Sequence, residues 1–184
     1  MDELRKTVFL MGFPCCGKTT LGRELERLKG WPFIDLDEWI ENREGKTVKQ
    51  LFDEVGEQGF RQIENDALRA LAQHPGVVAC GGGTPCGPGN MELMNASGLT
   101  VWLTTGEKRL VARLCLPEHR YKRPHVAAMT DEEIARYVHR TIKERQSSYA
   151  LAQVRFDSTE IETAQETTAT ARRLARLIIQ ETKS

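Results

Sequence analysis

The chain has 184 residues, with 26 lysines and arginines against 26 aspartates and glutamates. That length suffices for one domain with a real core, and the charge balance argues against nucleic acid or another polyelectrolyte as partner. No apolar run approaches a membrane span, and the charged start, MDELRKTVFLMG, carries no signal-peptide pattern.

The first apolar run, residues 7–11, suits a buried parallel strand. Residues 12–20 then read GFPCCGKTT, the spacing of a P-loop: Gly12, Gly17, Lys18 and Thr19. Leu21, Leu25 and Leu28 follow at helical spacing, so the motif joins a strand to a helix. Glycines let such a loop turn its backbone N–H groups onto phosphate oxygens, and the helix N-terminus adds partial positive charge. Lys18 can reach the β- and γ-phosphates, and the Thr19 hydroxyl can hold Mg²⁺. Cys15, Cys16 and Thr20 complete the expected nucleotide-binding stretch. The two cysteines read as small side chains on a loop whose backbone does the binding. The alternative is a reactive thiol whose pKa is lowered by Lys18 and the helix end.

The second apolar run, residues 32–36, carries Asp35 and ends beside Asp37. As strand residues two apart, the two carboxylates would point to one side. Asp35 could stand near a metal and Asp37 could accept a substrate hydroxyl, unless Asp37 simply caps a helix starting at Glu38. A helical pattern covers residues 48–72. In it Arg61 and Glu64 lie one turn apart, either as a solvated pair or as a carboxylate-gripping arginine held by its glutamate. A third run, residues 77–80, leads into Gly81-Gly82-Gly83, where a ligand could approach the backbone closely.

A fourth run covers residues 99–103, and helical patterns follow at 106–116 and 130–151. Between those two lies LPEHRYKRPHVAAM, residues 116–129, read as a loop in which Arg120, Lys122 and Arg123 crowd. Beside a P-loop it suits a mobile lid that brings an arginine to the γ-phosphate. The last strand is expected at 154–156 and the last helix, a packing helix, at 164–181. This alternation predicts an α/β fold: a parallel sheet of about five strands with helices on both faces, binding ligands beyond the carboxyl ends of the strands. Five cysteines, odd in number and without a CxxC pair, fit a reducing cytoplasm.

The order GxxxxGKT, DxD, GFR, GGG and an Arg-Pro lid resembles the shikimate kinases over nearly the whole chain. The resemblance implies a P-loop kinase of the nucleoside-monophosphate-kinase type, one kinase domain over 1–184, a substrate-binding region about 35–64 and a lid about 116–129. It implies ATP-dependent phosphorylation of the 3-hydroxyl of shikimate with Mg²⁺, by a cytoplasmic monomer without nucleic-acid or membrane partners. Lys18, Asp37 and Arg123 would be catalytic, Asp37 binding the hydroxyls. Arg61 and Arg145 would bind the substrate carboxylate, with Arg140 as the alternative to Arg145. Gly82 and Gly83 would give backbone contacts. Thr19 and Asp35 would serve the metal. Arg113 would stack on adenine, and residues 158–161 would form the adenine loop. A related sugar-acid or nucleotide kinase, such as a gluconate kinase, and a non-catalytic nucleotide-binding regulator are the rival readings.

Overall fold

A computed structural model describes residues 4–121 and 123–183, leaving Lys122 and the side chains of Pro124, His125 and Lys183 outside the description. The five apolar runs are all strands: β1 (Thr7–Met11), β2 (Phe33–Asp35), β3 (Gly76–Ala79), β4 (Gly98–Thr104) and β5 (Val154–Asp157). They form one parallel sheet in the order β2-β3-β1-β4-β5. Central β1 is buried throughout, with Val8 and Leu10 in one core and Phe9 and Met11 in the other. A strand covered on both faces has no place for alternating polar residues. Its one polar residue, Thr7, donates its hydroxyl to the His74 carbonyl at 2.9 Å.

The helices are α1 (Lys18–Lys29), α2 (Leu36–Glu44), α3 (Val48–Leu71), α4 (Asn90–Ser97), α5 (Glu107–Cys115), α6 (Pro117–Arg120), α7 (Pro124–Ala127), α8 (Asp131–Tyr149) and α9 (Ala164–Lys183). Leu21 and Leu25 of α1 and Leu174 and Ile178 of α9 pack with α5 and α8 on one side of the sheet. Leu36 and Ile40 of α2, Phe60 and Leu68 of α3 and Met94 of α4 fill the other. Reciprocal capping boxes, Thr47 with Gln50 and Thr130 with Glu133, start α3 and α8. No helix among the described residues is long and apolar enough to cross a membrane.

Three expectations are corrected. Helix α2 starts at Leu36, two residues before the expected Glu38, and its cap is Asp35 rather than Asp37. Asp37 therefore sits in the first helical turn, not two residues along a strand. The 48–72 helix is broken at Gly56, whose φ of 68° and ψ of −179° lie outside the helical region. Only glycine adopts that conformation cheaply. The lid is not loop throughout: α6 and α7 are single turns, each opened by a proline at its first position.

Gly98 opens β4 opposite Thr7 of β1, and a Cβ there would run into the Thr7 carbonyl. Both sides of that contact are backbone, so no side chain can swing aside. Gly98→Ala is expected to lower stability by about 1–3 kcal/mol. The change should be seen as a lower urea midpoint at unchanged slope.

Candidate active site

The five strands run parallel, so the segments leaving their carboxyl ends meet on one edge, as anticipated. The P-loop leaves β1. Gly12 has φ 141° and Gly17 φ 101°, both beyond the reach of ordinary side chains, and Cys15 is the one non-glycine among the described residues at positive φ, at 66°. A Cβ on Gly12 would stand 2.6 Å from the Leu103 carbonyl oxygen, so the loop hugs β4 too closely for any other residue. Lys18 folds back over the loop, donating to the carbonyls of Gly12 at 2.9 Å and Phe13 at 3.1 Å. Cys16 is buried in the core below. Burial pushes the Cys15 thiol pKa up, against the nearby charges of Arg123, Lys18 and Arg113. At Cys15 the pKa lowering that the thiol-activation alternative needs is therefore reversed, because desolvation outweighs three cations.

Asp35 ends β2 and divides its carboxylate between two tasks. Oδ1 accepts the Asp37 backbone N–H at 3.2 Å, and Oδ2 accepts the Thr19 hydroxyl at 2.8 Å. It thus links the P-loop to the start of α2 and fixes where Asp37 stands. The Asp37 carboxyl is pushed up to about 6, first by burial and then by the neighbouring Asp35 and Glu64 carboxylates, while Lys18 pulls it down.

The glycine turn leaves β3 between these groups and α3. A Cβ on Gly81 would stand 3.0 Å from Asp37 Oδ1. One on Gly82 would stand 2.9 Å from Pro14 Cδ and 3.1 Å from Arg145 Nη1. One on Gly83 would stand 2.7 Å from Arg61 Nη2. Three successive glycines each face a different charged side chain.

Arg61 donates to Glu64 Oε2 at 2.7 Å, and Glu64 is 1% exposed. The pair is not the solvated surface pair that its spacing alone allows. Arg145 projects from α8 within hydrogen-bonding reach of the Tyr149 hydroxyl, which donates to the Gly82 carbonyl at 2.6 Å. Arg140, with a side chain 70% exposed and a distant 3.8 Å pairing with Glu144, is not brought to the turn.

On the nucleotide side, Arg113 is buried and pinned. It donates to the Cys15 carbonyl at 3.0 Å, the Thr159 carbonyl at 2.6 Å and Glu162 at 2.9 Å. Ser158 donates to the Cys16 carbonyl at 2.7 Å, tying the segment after β5 to the P-loop. Burial raises the Glu162 pKa, but the Ile161 N–H and the Arg113 and Arg109 guanidinium groups outweigh it and hold the carboxyl down to about 2. In the lid, Arg120 is spent on Asp131 and the Met129 carbonyl. Arg123 donates to the His119 carbonyl at 2.7 Å, and its charge reaches the Cys15 thiol across the P-loop.

Sequence reasoning assigned nothing to Thr84, Tyr149 or Glu162. Thr84 donates a hydrogen bond to Glu64 from the far side of the glycine turn. Tyr149 was visible only as an aromatic one turn after Arg145, and Glu162 had no signal at all.

Comparison with known proteins gives one answer. A shikimate kinase family model matches residues 14–178. A shikimate kinase of Parabacteroides distasonis is 43% identical over 154 residues, 83% of this chain and 88% of the relative. The crystal structure of the shikimate kinase from Bacteroides thetaiotaomicron superposes with a TM-score of 0.88 at 38% identity, covering 93% of this chain and 97% of that one. A shikimate kinase from Acinetobacter baumannii, solved in complex with shikimate, follows at 0.76 and 30%, covering 96% and 94%. The sheet order, the P-loop and a family match spanning nearly the whole chain together establish that this protein belongs to the shikimate kinase family.

Proposed function

We propose that the chain transfers the γ-phosphoryl group of ATP to the 3-hydroxyl of shikimate in the cytoplasm, with Mg²⁺ held at Thr19 and Asp35. The observation that carries this reading is the ring of charge around the glycine turn: Asp37, Arg145 and Arg61 against Gly81, Gly82 and Gly83 in turn. One carboxylate for a hydroxyl and two guanidinium groups for a carboxylate suit a small polyhydroxy acid. They stand beside a P-loop, where the phosphate donor belongs.

The donor set fits Mg²⁺. A hydroxyl and a carboxylate oxygen lie 2.8 Å apart at the P-loop, and among the described residues no group of three His, Cys, Asp or Glu stands ready as a cage. Mg²⁺ prefers few protein oxygens, completing its shell with water and phosphate. When bound, the ion neutralises charge on the phosphate oxygens.

The chain's own residues do the rest. Arg61 and Arg145 grip the acceptor carboxylate and set the ring in place. Asp37 orients the hydroxyl and receives its proton. With a pKa of about 6 it is ionised at neutral pH and a better base than an ordinary aspartate. Lys18 and Arg123 meet the charge on the phosphoryl group in flight. Residues 116–129 close over the nucleotide and exclude the water that would otherwise hydrolyse it.

Release of ADP, measured with shikimate, gluconate and a nucleoside monophosphate as alternative acceptors, should occur with shikimate alone. Turnover on gluconate but not shikimate would overturn the reading. Arg61→Ala should raise the shikimate KM by about 10- to 100-fold, from loss of a charged hydrogen bond. The ATP KM should stay put, and equal damage to both would remove Arg61 from the acceptor site.

Asp37→Asn should cut kcat by at least about 100-fold. It should also stabilise the fold at alkaline pH. The Asp37 pKa lies above the ordinary 3.8, so the folded state holds the proton more tightly than the unfolded. Wild-type stability is then lost as pH rises through about 6, and asparagine escapes that loss by at most about 3 kcal/mol. Melting curves of the two proteins should separate at pH 8 and converge at pH 4.

A further inference from the structure

An arginine that selects a carboxylate needs its fork aimed, and a long side chain is aimed only by what holds it. Arg61 is held by Glu64, whose own carboxylate is buried. The two oxygens of Glu64 are divided. Oε2 accepts Arg61 Nη1 at 2.7 Å, and Oε1 accepts the Thr84 hydroxyl. Among the described residues Arg61 Nη2 makes a long 3.6 Å pairing with the exposed Glu57, and it is the nearest side-chain atom to where a Gly83 Cβ would stand. One end of the guanidinium is therefore fixed and the other faces the glycine turn.

Thr84 is fully buried and is itself locked in place. Its N–H donates to the Gly81 carbonyl at 3.2 Å, closing the turn. Its carbonyl accepts Asn90 Nδ2 at 2.8 Å, Asn90 Oδ1 accepts Asn65 Nδ2 at 2.8 Å, and Asn65 Oδ1 accepts Arg69 Nε at 2.9 Å. A polar chain thus runs from the α3 surface to the Arg61 fork, and every buried side-chain polar atom among the described residues has a partner. Without the hydroxyl, Glu64 Oε1 loses its donor in a place that excludes water. The carboxylate must then turn to find another donor, and that turn releases Arg61.

We infer that Thr84 is a positioning residue for the acceptor: its hydroxyl fixes Glu64 so that Arg61 presents its outer N–H groups to the substrate carboxylate. This rests on the reading of Arg61 as the carboxylate clamp. Thr84 touches no nucleotide-binding residue in this network, so its effect falls on the acceptor and not on ATP.

The test is steady-state kinetics of the full chain carrying Thr84→Ser, Thr84→Ala or Thr84→Val, with shikimate and ATP varied in turn. Serine and alanine both lack the threonine methyl and differ only by the hydroxyl, so their comparison stands even if the valine variant fails to fold. Serine should stay near wild type. Alanine and valine should raise the shikimate KM about tenfold, with the ATP KM unchanged. On an Arg61→Ala background the Thr84→Ala change should add nothing further, because the two act through one carboxylate.

Equal shikimate KM values for serine and alanine would overturn the inference, as would a full additive effect on the Arg61→Ala background. If Arg61→Ala raises the shikimate KM while the Thr84 variants do not, only the Thr84 role falls. If Arg61→Ala itself leaves that KM unchanged, the clamp and its positioning residue fall together.

Discussion

Three charged side chains stand around one turn because that turn has no side chains of its own. Gly81, Gly82 and Gly83 leave β3 with Asp37, Arg145 and Arg61 so near that a single Cβ at any of the three would press on them or on Pro14. The absence of atoms is the constraint on which the rest is arranged. It lets α2, α3 and α8 approach one another across the sheet edge. It also leaves backbone where a small ligand can lie flat. Tyr149 holds the turn from beneath by its bond to the Gly82 carbonyl, and the Thr84 N–H closes it at the far end.

Packing charges this closely raises an electrostatic problem that the chain solves by alternation. Asp35 and Glu64 are both near enough to oppose ionisation of Asp37, on top of its burial. The charge of Lys18 counters Asp37 through space and Arg61 pairs directly with Glu64, so cations and anions interleave along the edge. Burial first, and the two neighbouring carboxylates second, outweigh Lys18 at Asp37, which is the condition for a carboxylate to hold a proton closer to neutral pH. Its neighbour Asp35 accepts a backbone N–H on one oxygen and the Thr19 hydroxyl on the other. Two aspartates two residues apart thus differ in role: Asp35 bridges a backbone N–H and the Thr19 hydroxyl, while burial raises the Asp37 carboxyl to about 6.

What could be read from the sequence was what is local or what is repeated. β1 and β3 are buried at every position and so read as nearly unbroken apolar runs, and the half-buried edge strands β2 and β5 still carried short ones. The P-loop carries its spacing with it. The start of α2 was misjudged because Asp35 and Asp37 are both competent caps, and only the three-dimensional course of the chain chooses between them. The break at Gly56 was hidden because apolar spacing continues on either side of it. The Arg61–Glu64 pair was visible as a spacing, but its burial depends on Thr84, 20 residues away. Tyr149 and Gly82 are 67 apart, and Arg113 and Glu162 are 49 apart. No short pattern encodes such pairings, since their register is set by the sheet between them.

The sheet order has a further consequence. The Asp35–Asp37 segment leaves β2, the glycine turn leaves β3 and the P-loop leaves β1, and these are three adjacent strands. Neighbouring strands lie about 4.8 Å apart, so the outer two stand about 10 Å apart whatever side chains they carry. In the proposed reaction that interval separates the groups serving the acceptor hydroxyl from those cradling the phosphates. It is about the breadth of one six-membered ring with its substituents. The hydrogen-bonded lattice of the sheet thus works as a gauge, holding the two ends of the proposed site at a fixed pitch.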